Sequence, residues 1–174
     1  MKLIIINGSS CSGKSSIVKS LMNSRENLFL LHYDSLKWSF SKYSREEKYK
    51  DVQKVMQSVA LTVFEMGKYD VICDSGLYRV SRQNLIDIAK KLEYEIIEIN
   101  LEADFNILLQ RFNERVESAL KVSSKDRRIS NLSVDRFKEL FDIYNKEKNE
   151  LAISFYSDKE SSEEIAEKIK MMLN

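Results

Sequence analysis

The chain contains no proline, four glycines, two cysteines and one histidine among its 174 residues. Two cysteines cannot build a disulfide framework, so the composition predicts a reducing compartment. A single histidine without a histidine–cysteine cluster gives no indication of structural zinc. No apolar run approaches the length that crosses a membrane, and the first run, residues 3–6, is typical of a strand rather than a signal peptide. We therefore expect a cytoplasmic protein with no membrane partner.

The chain also has almost no net charge, because its 28 lysines and arginines nearly balance its 27 aspartates and glutamates. No overall field favours nucleic acid or an acidic membrane, so we expect no stable nucleic-acid partner. The length and the 43% hydrophobic content predict one domain over residues 1–174, large enough to bury an ordinary core.

Two of the four glycines lie in one motif. Residues 8–15 read Gly-Ser-Ser-Cys-Ser-Gly-Lys-Ser, which is the Gly-x-x-x-x-Gly-Lys-Ser pattern of a phosphate-binding P-loop. An apolar run precedes the motif, and residues 16–22 follow it with helical spacing. In such a loop, backbone N–H groups and the positive end of the helix dipole bind phosphate oxygens. We expect ATP to be bound by Gly8, Ser9, Ser10, Cys11, Ser12, Gly13, Lys14, Ser15 and Ser16.

Four further apolar runs, at residues 28–32, 69–73, 95–99 and 152–156, resemble the first strand. Amphipathic segments with helical spacing lie between and after them, at residues 46–67, 81–92, 104–120, 133–150 and from 161 or 162 to 173. This alternation predicts an α/β fold with a parallel sheet covered by helices on both faces. The polar stretch 121–131 has no periodicity and predicts a mobile loop.

Two aspartates follow predicted strands, and ligands of open α/β sheets bind outside the carboxyl ends of the strands. Asp74, after the third run, is placed to hold Mg²⁺ together with the Ser15 hydroxyl, while Lys14 reaches the β- and γ-phosphates. Asp74 could instead cap the turn to the next helix. Asp34, after the second run, could accept the proton of a substrate hydroxyl and orient it toward the γ-phosphate. The alternative for Asp34 is an N-cap of a helix that begins at Ser35.

Arginines cluster after the fourth predicted strand. Arg111 and Arg115 are one helical turn apart and share a face, and Arg127 and Arg128 lie in the polar stretch beyond. Together they predict a lid, about residues 111–131, whose catalytic guanidinium groups stabilise the transferring phosphoryl group. The alternative is a set of exposed salt bridges of little consequence.

The residues after Asp34 are rich in large apolar side chains: Leu36, Trp38, Phe40 and Tyr43. They could line a pocket for the acceptor, or they could seal a helix against the sheet. The neighbouring His32 is predicted to be a strand residue without a catalytic task.

Residues 3–18, together with Tyr33-Asp34-Ser35, resemble chloramphenicol phosphotransferase and its P-loop kinase relatives, which include zeta toxins, polynucleotide 5′-kinases and adenylate kinases. The resemblance covers the whole chain in strand–helix order and is sharp over the first 35 residues. It implies a P-loop NTPase three-layer αβα sandwich with a five-stranded parallel sheet in the order 2-3-1-4-5 and a small lid. It also implies that the adenine base packs near residues 157–161.

The same resemblance assigns site residues. Asp34 corresponds to the acceptor-side aspartate of the family, and the lid arginines correspond to Arg111, Arg115 and Arg127 or Arg128. Residues 35–67 match no substrate signature. The sequence therefore predicts an ATP- and Mg²⁺-dependent kinase that phosphorylates a hydroxyl of a small molecule. The alternatives are a nucleoside or nucleotide kinase, for which Asp34 would be incidental, and an ATP-binding regulatory NTPase that signals to a partner.

Overall fold

The structure is a computed structural model that describes residues 1–74, 79–121 and 133–173. Within these residues the chain forms five strands and seven helices. The strands are β1 (Lys2–Gly8), β2 (Leu28–Leu31), β3 (Asp70–Cys73), β4 (Glu95–Glu102) and β5 (Ile153–Tyr156). The helices are α1 (Lys14–Ser24), α2 (Tyr33–Lys37), α3 (Arg45–Met66), α4 (Arg79–Lys91), α5 (Phe105–Lys121), α6 (Val134–Glu147) and α7 (Ser162–Leu173).

The strands pair in parallel in the order β2-β3-β1-β4-β5. This confirms the predicted α/β fold and the strand order 2-3-1-4-5. The central strand β1 is covered on both faces, which explains why its sequence is a continuous apolar run, with Leu3, Ile4, Ile5 and Ile6 all fully buried.

Alternate side chains of β1 enter two different cores, because successive residues of a strand point to opposite faces. Ile4 and Ile6 pack in a cluster with residues of α1 and α7, such as Leu21 and Ile169. Leu3 and Ile5 pack in a second cluster with residues of α3 and α4. These two sides are called the α1/α7 face and the α3/α4 face below.

From Ile97 onward, β4 is apolar on one face only. Its Ile97, Ile99 and Leu101 belong to the cluster on the α1/α7 face. The intervening side chains, Glu98, Asn100 and Glu102, point to the α3/α4 face, because Glu98 pairs in register with Ile5 of β1. The same register pairs Asn100 with Asn7. A polar strip therefore crosses β1 and β4 toward the carboxyl ends of the strands.

Helices α5 and α6 are joined by a third apolar cluster of Leu108, Phe112 and Phe137. The rings of Phe112 and Phe137 stack with centroids 4.6 Å apart. The predicted cap Ser133 is confirmed, since its side chain accepts a hydrogen bond from the backbone N–H of Arg136 at the start of α6. Residues 122–132, which hold most of the predicted lid with Arg127 and Arg128, lie outside the described residues.

The segment after β2 differs from its prediction. Helix α2 begins at Tyr33 with His32 at its N-cap, so Asp34 lies in the first turn and is not the cap of a helix that begins at Ser35. An aspartate in a first turn interacts favourably with the positive end of the helix dipole. Of the helices in the described part of the chain, none combines the length and the apolar character needed to cross a bilayer.

Candidate functional site

A cleft of about 860 Å³ opens at the carboxyl-terminal edge of the sheet. Residues 7–16, which include the P-loop motif, line one side of it. The other walls come from α2 and α3, from the ends of β2 and β3, and from α4, α5 and α6. The cleft lies at the position that the predicted parallel sheet favours for a ligand.

Three residues constrain the backbone of the loop, one by a close approach and two by a positive φ. A Cβ on Gly8 would lie 2.5 Å from Ser12 Oγ and 3.1 Å from Leu101, so this close approach requires a glycine. Gly13 has a φ of 90°, and Cys11 has a φ of 65° although it carries a side chain. Ser12 is buried, and its hydroxyl has no hydrogen-bond partner among the described residues. A phosphate oxygen in the loop would satisfy this hydroxyl, so the loop fits a nucleotide.

Lys14 reaches back over the loop that precedes it. Its Nζ donates hydrogen bonds to the carbonyl oxygens of Gly8 (2.6 Å) and Ser9 (2.8 Å). An ammonium group has three donors, so one remains for a phosphate oxygen. Burial lowers the pKa of Lys14 to about 8, and the negative charge of Asp74 offsets part of this effect. The lysine is therefore desolvated and close to the carboxylate, which is the setting in which an added anion interacts strongly.

Asp74 and His32 form an ion pair in the cleft. His32 Nδ1 lies 2.5 Å from Asp74 Oδ1, and the Asp74 side chain is 4% exposed. The pairing follows from the sheet, because Leu31 and Cys73 are register partners and the next residues of both strands are adjacent. The hydrogen bond that His32 donates to the Asp74 carboxylate raises the pKa of His32 against the opposing effect of partial burial. His32 was predicted to be a strand residue without a catalytic task. The structure places it after the end of β2, at the N-cap of α2, and the prediction did not anticipate its contact with Asp74.

Asp34 lines the cleft but already has a partner. Its Oδ1 lies 2.5 Å from Lys37 Nζ in the next turn of α2, and its side chain is 57% exposed. Solvent screens such an exposed pair, so the contact adds little stability. The carboxylate is accessible to a ligand in the cleft.

The predicted magnesium ligands, the Ser15 hydroxyl and the Asp74 carboxylate, both line the cleft. Across residues 1–74, 79–121 and 133–173, no group of three or more His, Cys, Asp or Glu side chains could hold a metal by itself. Mg²⁺ prefers oxygen ligands and is commonly held by one or two protein groups together with substrate phosphates. The two oxygen donors therefore fit a cation that arrives with a nucleotide.

The two described arginines of the predicted lid differ in their surroundings. Arg111 Nη2 donates to the Ser157 carbonyl oxygen (2.6 Å), and Nη1 contacts Ser157 Oγ (3.1 Å) and the Cys11 carbonyl oxygen (3.5 Å). Arg111 thus joins the loop after β5 to the P-loop. Arg115 lines the cleft, is exposed, and makes no hydrogen bond or ion pair with the part of the chain that the structure describes. It is therefore the arginine of the two whose charge is available to a ligand.

Tyrosines form the α2–α3 wall of the cleft. The hydroxyl groups of Tyr33 and Tyr43 lie 2.8 Å apart, and the rings of Tyr33 and Tyr49 lie 5.9 Å apart. Of the predicted pocket residues, Tyr43 lines the cleft, whereas Leu36 packs against the core on the α3/α4 face. Leu36 thus fits the interpretation as a seal, and the role of Tyr43 toward an acceptor stays a prediction.

A further group of cleft residues was not anticipated from the sequence. Arg82 of α4, and Tyr144 and Lys148 at the end of α6, line the cleft and contact acidic side chains of β4. The sequence did contain a sign of this group. Glu98, Asn100 and Glu102 alternate with apolar residues in β4, whereas a strand that is covered on both faces is ordinarily apolar throughout.

Comparison with solved structures shows the fold. Kti12 of Chaetomium thermophilum in complex with ADP-AlF3 matches with a TM-score of 0.67 and 18% identity, over 97% of each chain. The tunicamycin resistance protein of Deinococcus radiodurans matches with a TM-score of 0.67 and 16% identity, over 99% of this chain and 95% of that one. The APS kinase CysC of Mycobacterium tuberculosis, in complex with AMPPNP and APS, matches with a TM-score of 0.64 and 15% identity, over 99% of this chain and 96% of that one.

No curated protein matches the chain. The structural neighbours support the P-loop kinase-like fold that the resemblance implied, and they give no specific support to the narrower chloramphenicol phosphotransferase group. The family model described as chromatin associated protein KTI12 matches residues 1–172. The chain, with its P-loop and the cleft above the sheet, therefore belongs to the KTI12 family.

Proposed function

We propose that the chain binds Mg²⁺-ATP in the cleft and transfers the γ-phosphoryl group to a hydroxyl of a second, small-molecule ligand. The observation that carries the proposal is the loop itself: it packs closely at Gly8 and turns at Gly13, and it contains the Lys14 ammonium and a buried Ser12 hydroxyl without a hydrogen-bond partner among the described residues. Such an arrangement binds successive phosphates of a nucleotide. The neighbours whose structures contain ADP-AlF3 or AMPPNP are consistent with this ligand.

Each side chain has a role that follows from its position. Lys14, with one free donor, holds the transferring phosphoryl group, and Arg115 adds a second positive charge from the α5 side of the cleft. Ser15 and Asp74 would hold Mg²⁺, which when bound neutralises charge on the phosphates. His32 orients the Asp74 carboxylate through the 2.5 Å contact. Asp34 accepts the proton of the acceptor hydroxyl, and Lys37 limits the rotation of its carboxylate.

The size of the cleft supports a second ligand beside the nucleotide. Its volume of about 860 Å³ is near the upper end of the range for a site that holds one drug-sized molecule. The walls from α2, α3, α4 and α6 belong to elements other than those that carry Arg111 and Ser157, near which the family resemblance implies that the base packs.

A second candidate is an ATP-binding regulatory NTPase, and two observations favour it. The chain belongs to a family described as chromatin associated rather than as a kinase. In addition, Asp34 Oδ1 already contacts Lys37 Nζ at 2.5 Å, so an acceptor hydroxyl would have to compete with this partner. In this candidate, water takes the phosphoryl group and the state of the loop is read by a partner.

Nucleotide turnover with and without acceptors separates the two candidates. Radiolabelled ATP is incubated with the protein, Mg²⁺ and a panel of hydroxylated metabolites, nucleosides and antibiotics, and labelled phosphate and labelled products are resolved. A kinase transfers label to one compound and releases little phosphate alone, whereas a regulatory NTPase releases phosphate regardless of the panel. Lys14→Ala is the control. If its folded form turns over ATP like the wild type, the proposed role of the loop is wrong.

A further inference from the structure

The carboxyl-terminal half of β4 carries buried polar side chains that the proposed function does not use. They form a group, called the β4 polar cluster below, that consists of Arg82, Glu98, Asn100, Glu102, Tyr144, Lys148 and Asn149. A parallel strand covered on both faces is ordinarily apolar on both, and burying charged groups has a desolvation cost. Three polar side chains in alternation on one face of β4 therefore need an explanation.

Part of the cluster ties α6 to the sheet. Arg82 Nε lies 3.2 Å from Glu98 Oε2, and its Nη1 donates to the Glu147 carbonyl oxygen (3.0 Å). Lys148 Nζ and the Tyr144 hydroxyl both donate to Glu102 Oε1, at 3.0 and 3.2 Å. Each cation has its own carboxylate, so the cluster offers no unpaired positive charge among these residues.

Two atoms are not explained by this structural role. Asn7 Nδ2 and Asn100 Oδ1 are buried and have no hydrogen-bond partner among the described residues. Asn7 is 3% exposed and Asn100 is 1% exposed, and the two are register partners on β1 and β4. Glu98 has partners at both oxygens, because Oε1 accepts from Asn149 Nδ2 and Oε2 is ion-paired with Arg82. Asn100 Nδ2 donates to the Asn149 carbonyl oxygen, so the tie to α6 satisfies this nitrogen and leaves Asn100 Oδ1 without a partner among the described residues.

The chemistry of the two atoms selects a ligand. Asn7 Nδ2 is a donor, whereas Asn100 Oδ1 is an acceptor, and a hydroxyl group can serve both kinds of partner. A phosphate offers only acceptor oxygens at neutral pH, so it cannot donate to Asn100 Oδ1. Access exists, because Asn7, Arg82, Tyr144 and Lys148 line the cleft.

We propose that Asn7 and the β4 polar cluster bind the second ligand, and that this ligand presents uncharged hydroxyl groups there, as a sugar or polyol does. This inference rests on the proposed function, in which the cleft holds a nucleotide and an acceptor. It adds the contacts that select the acceptor, and it excludes a phosphate group from this end of the cleft.

Thermal-shift titrations of the intact chain test the inference in two arms. The first arm uses AMPPNP and Mg²⁺ alone and reports on the nucleotide site. The second arm adds ribose, glucose, myo-inositol or ribose 5-phosphate to the protein saturated with AMPPNP. We expect at least one neutral compound to raise Tm in a saturable way, since a ligand that binds only the folded state stabilises it. We expect ribose 5-phosphate to have a smaller effect than ribose.

Variants test whether the rise in Tm caused by a neutral compound depends on the β4 polar cluster. Asn100→Leu removes the amide at similar volume, and we expect it to weaken binding of the effective compound at least tenfold. Tyr144→Phe keeps the ring, removes one donor to Glu102, and serves if Asn100→Leu does not fold; it should weaken binding at least threefold. Ser154→Ala is the matched control, because Ser154 is the register partner of Asn100 on β5 but is exposed. It should bind the compound as the wild type does.

The possible failures are distinguishable. The inference is overturned if no neutral compound raises Tm, if the folded cluster variants bind as tightly as the wild type, or if ribose 5-phosphate binds more tightly than ribose. If AMPPNP gives no shift in the first arm, the proposed function is contradicted instead. The neutral compounds are then titrated into the protein alone, and their effect decides the inference by the same criteria.

Discussion

Replacing Asp74 by asparagine tests the central electrostatic contact of the cleft. The chain has a single histidine, so the ring of His32 gives one unambiguous signal set in an NMR titration. The hydrogen bond that His32 donates to Asp74 is the main cause of the raised pKa of His32, and it outweighs the opposing effect of burial. Without the carboxylate, burial remains, so we expect the pKa to fall to or below the ordinary value of about 6.5.

The effect on stability has a definite sign and size. A histidine whose pKa is raised in the folded state stabilises the fold below its unfolded pKa, and this stabilisation is lost as pH rises through the folded pKa. A charge-assisted hydrogen bond contributes about 1.5–3 kcal/mol, whereas a neutral one, which asparagine can retain, contributes about 1 kcal/mol. Because the His32 side chain is 31% exposed, solvent screening reduces the difference to about 1 kcal/mol.

Two measurements check this reasoning in metal-free buffer. Below pH 6, Asp74→Asn should melt about 2–4 °C below the wild type, since 1 kcal/mol corresponds to that shift for a domain of this size. The gap should narrow as pH rises through the pKa of wild-type His32. Asp34→Asn is the matched control, because Asp34 acts on His32 only as a weaker, more distant charge. A His32 pKa that is unchanged in Asp74→Asn would refute the pairing.

Three other substitutions probe the loop and the cleft. Lys14→Ala should remove phosphoryl transfer while the circular dichroism spectrum stays that of the wild type; retained transfer would contradict the role of the loop. Asp34→Asn should lower kcat by about 10²–10⁴-fold with Tm nearly unchanged if Asp34 accepts the acceptor proton, and near wild-type transfer would favour the regulatory candidate. Gly8→Ala should destabilise the fold by about 1–3 kcal/mol in denaturant titrations, since its Cβ would meet Ser12 Oγ at 2.5 Å, and an unchanged midpoint would show that the loop can adapt.

Features of the chain that depend on local sequence could be predicted. The strands are short apolar runs, the helices have apolar residues at helical spacing, and the P-loop is a contiguous motif between the two. The sheet order followed from the family resemblance and agrees with the observed pairing. The short helix α2 was anticipated only as an alternative and with its start at Ser35 instead of Tyr33, because its five residues are too few to show a period.

Contacts between distant segments could not be predicted. The pairing of His32 with Asp74 requires the register of β2 on β3, which places residues 42 positions apart side by side. The contact of Arg82 with Glu98 likewise requires the packing of α4 on β4. In each case the sequence contained the residues, but the partner depends on tertiary geometry. For Asp34, sequence placed the carboxylate at the cleft and gave no sign of its ion pair with Lys37.

The position of Asn7 bears on the choice between kinase and regulatory NTPase. Asn7 is adjacent to Gly8, whose carbonyl oxygen accepts a hydrogen bond from Lys14 at 2.6 Å. Asn7 and Lys14 both line the cleft, so a ligand hydroxyl bound to the Asn7 amide would share the cleft with the lysine that we propose holds the transferring phosphoryl group. A water molecule has the same donor and acceptor groups as a hydroxyl, so the two candidate functions differ in which of them occupies this position. Saturable binding of a neutral polyol that depends on Asn100 would therefore favour transfer to a hydroxyl, independently of Asp34, and failure of every polyol to bind would favour the regulatory candidate.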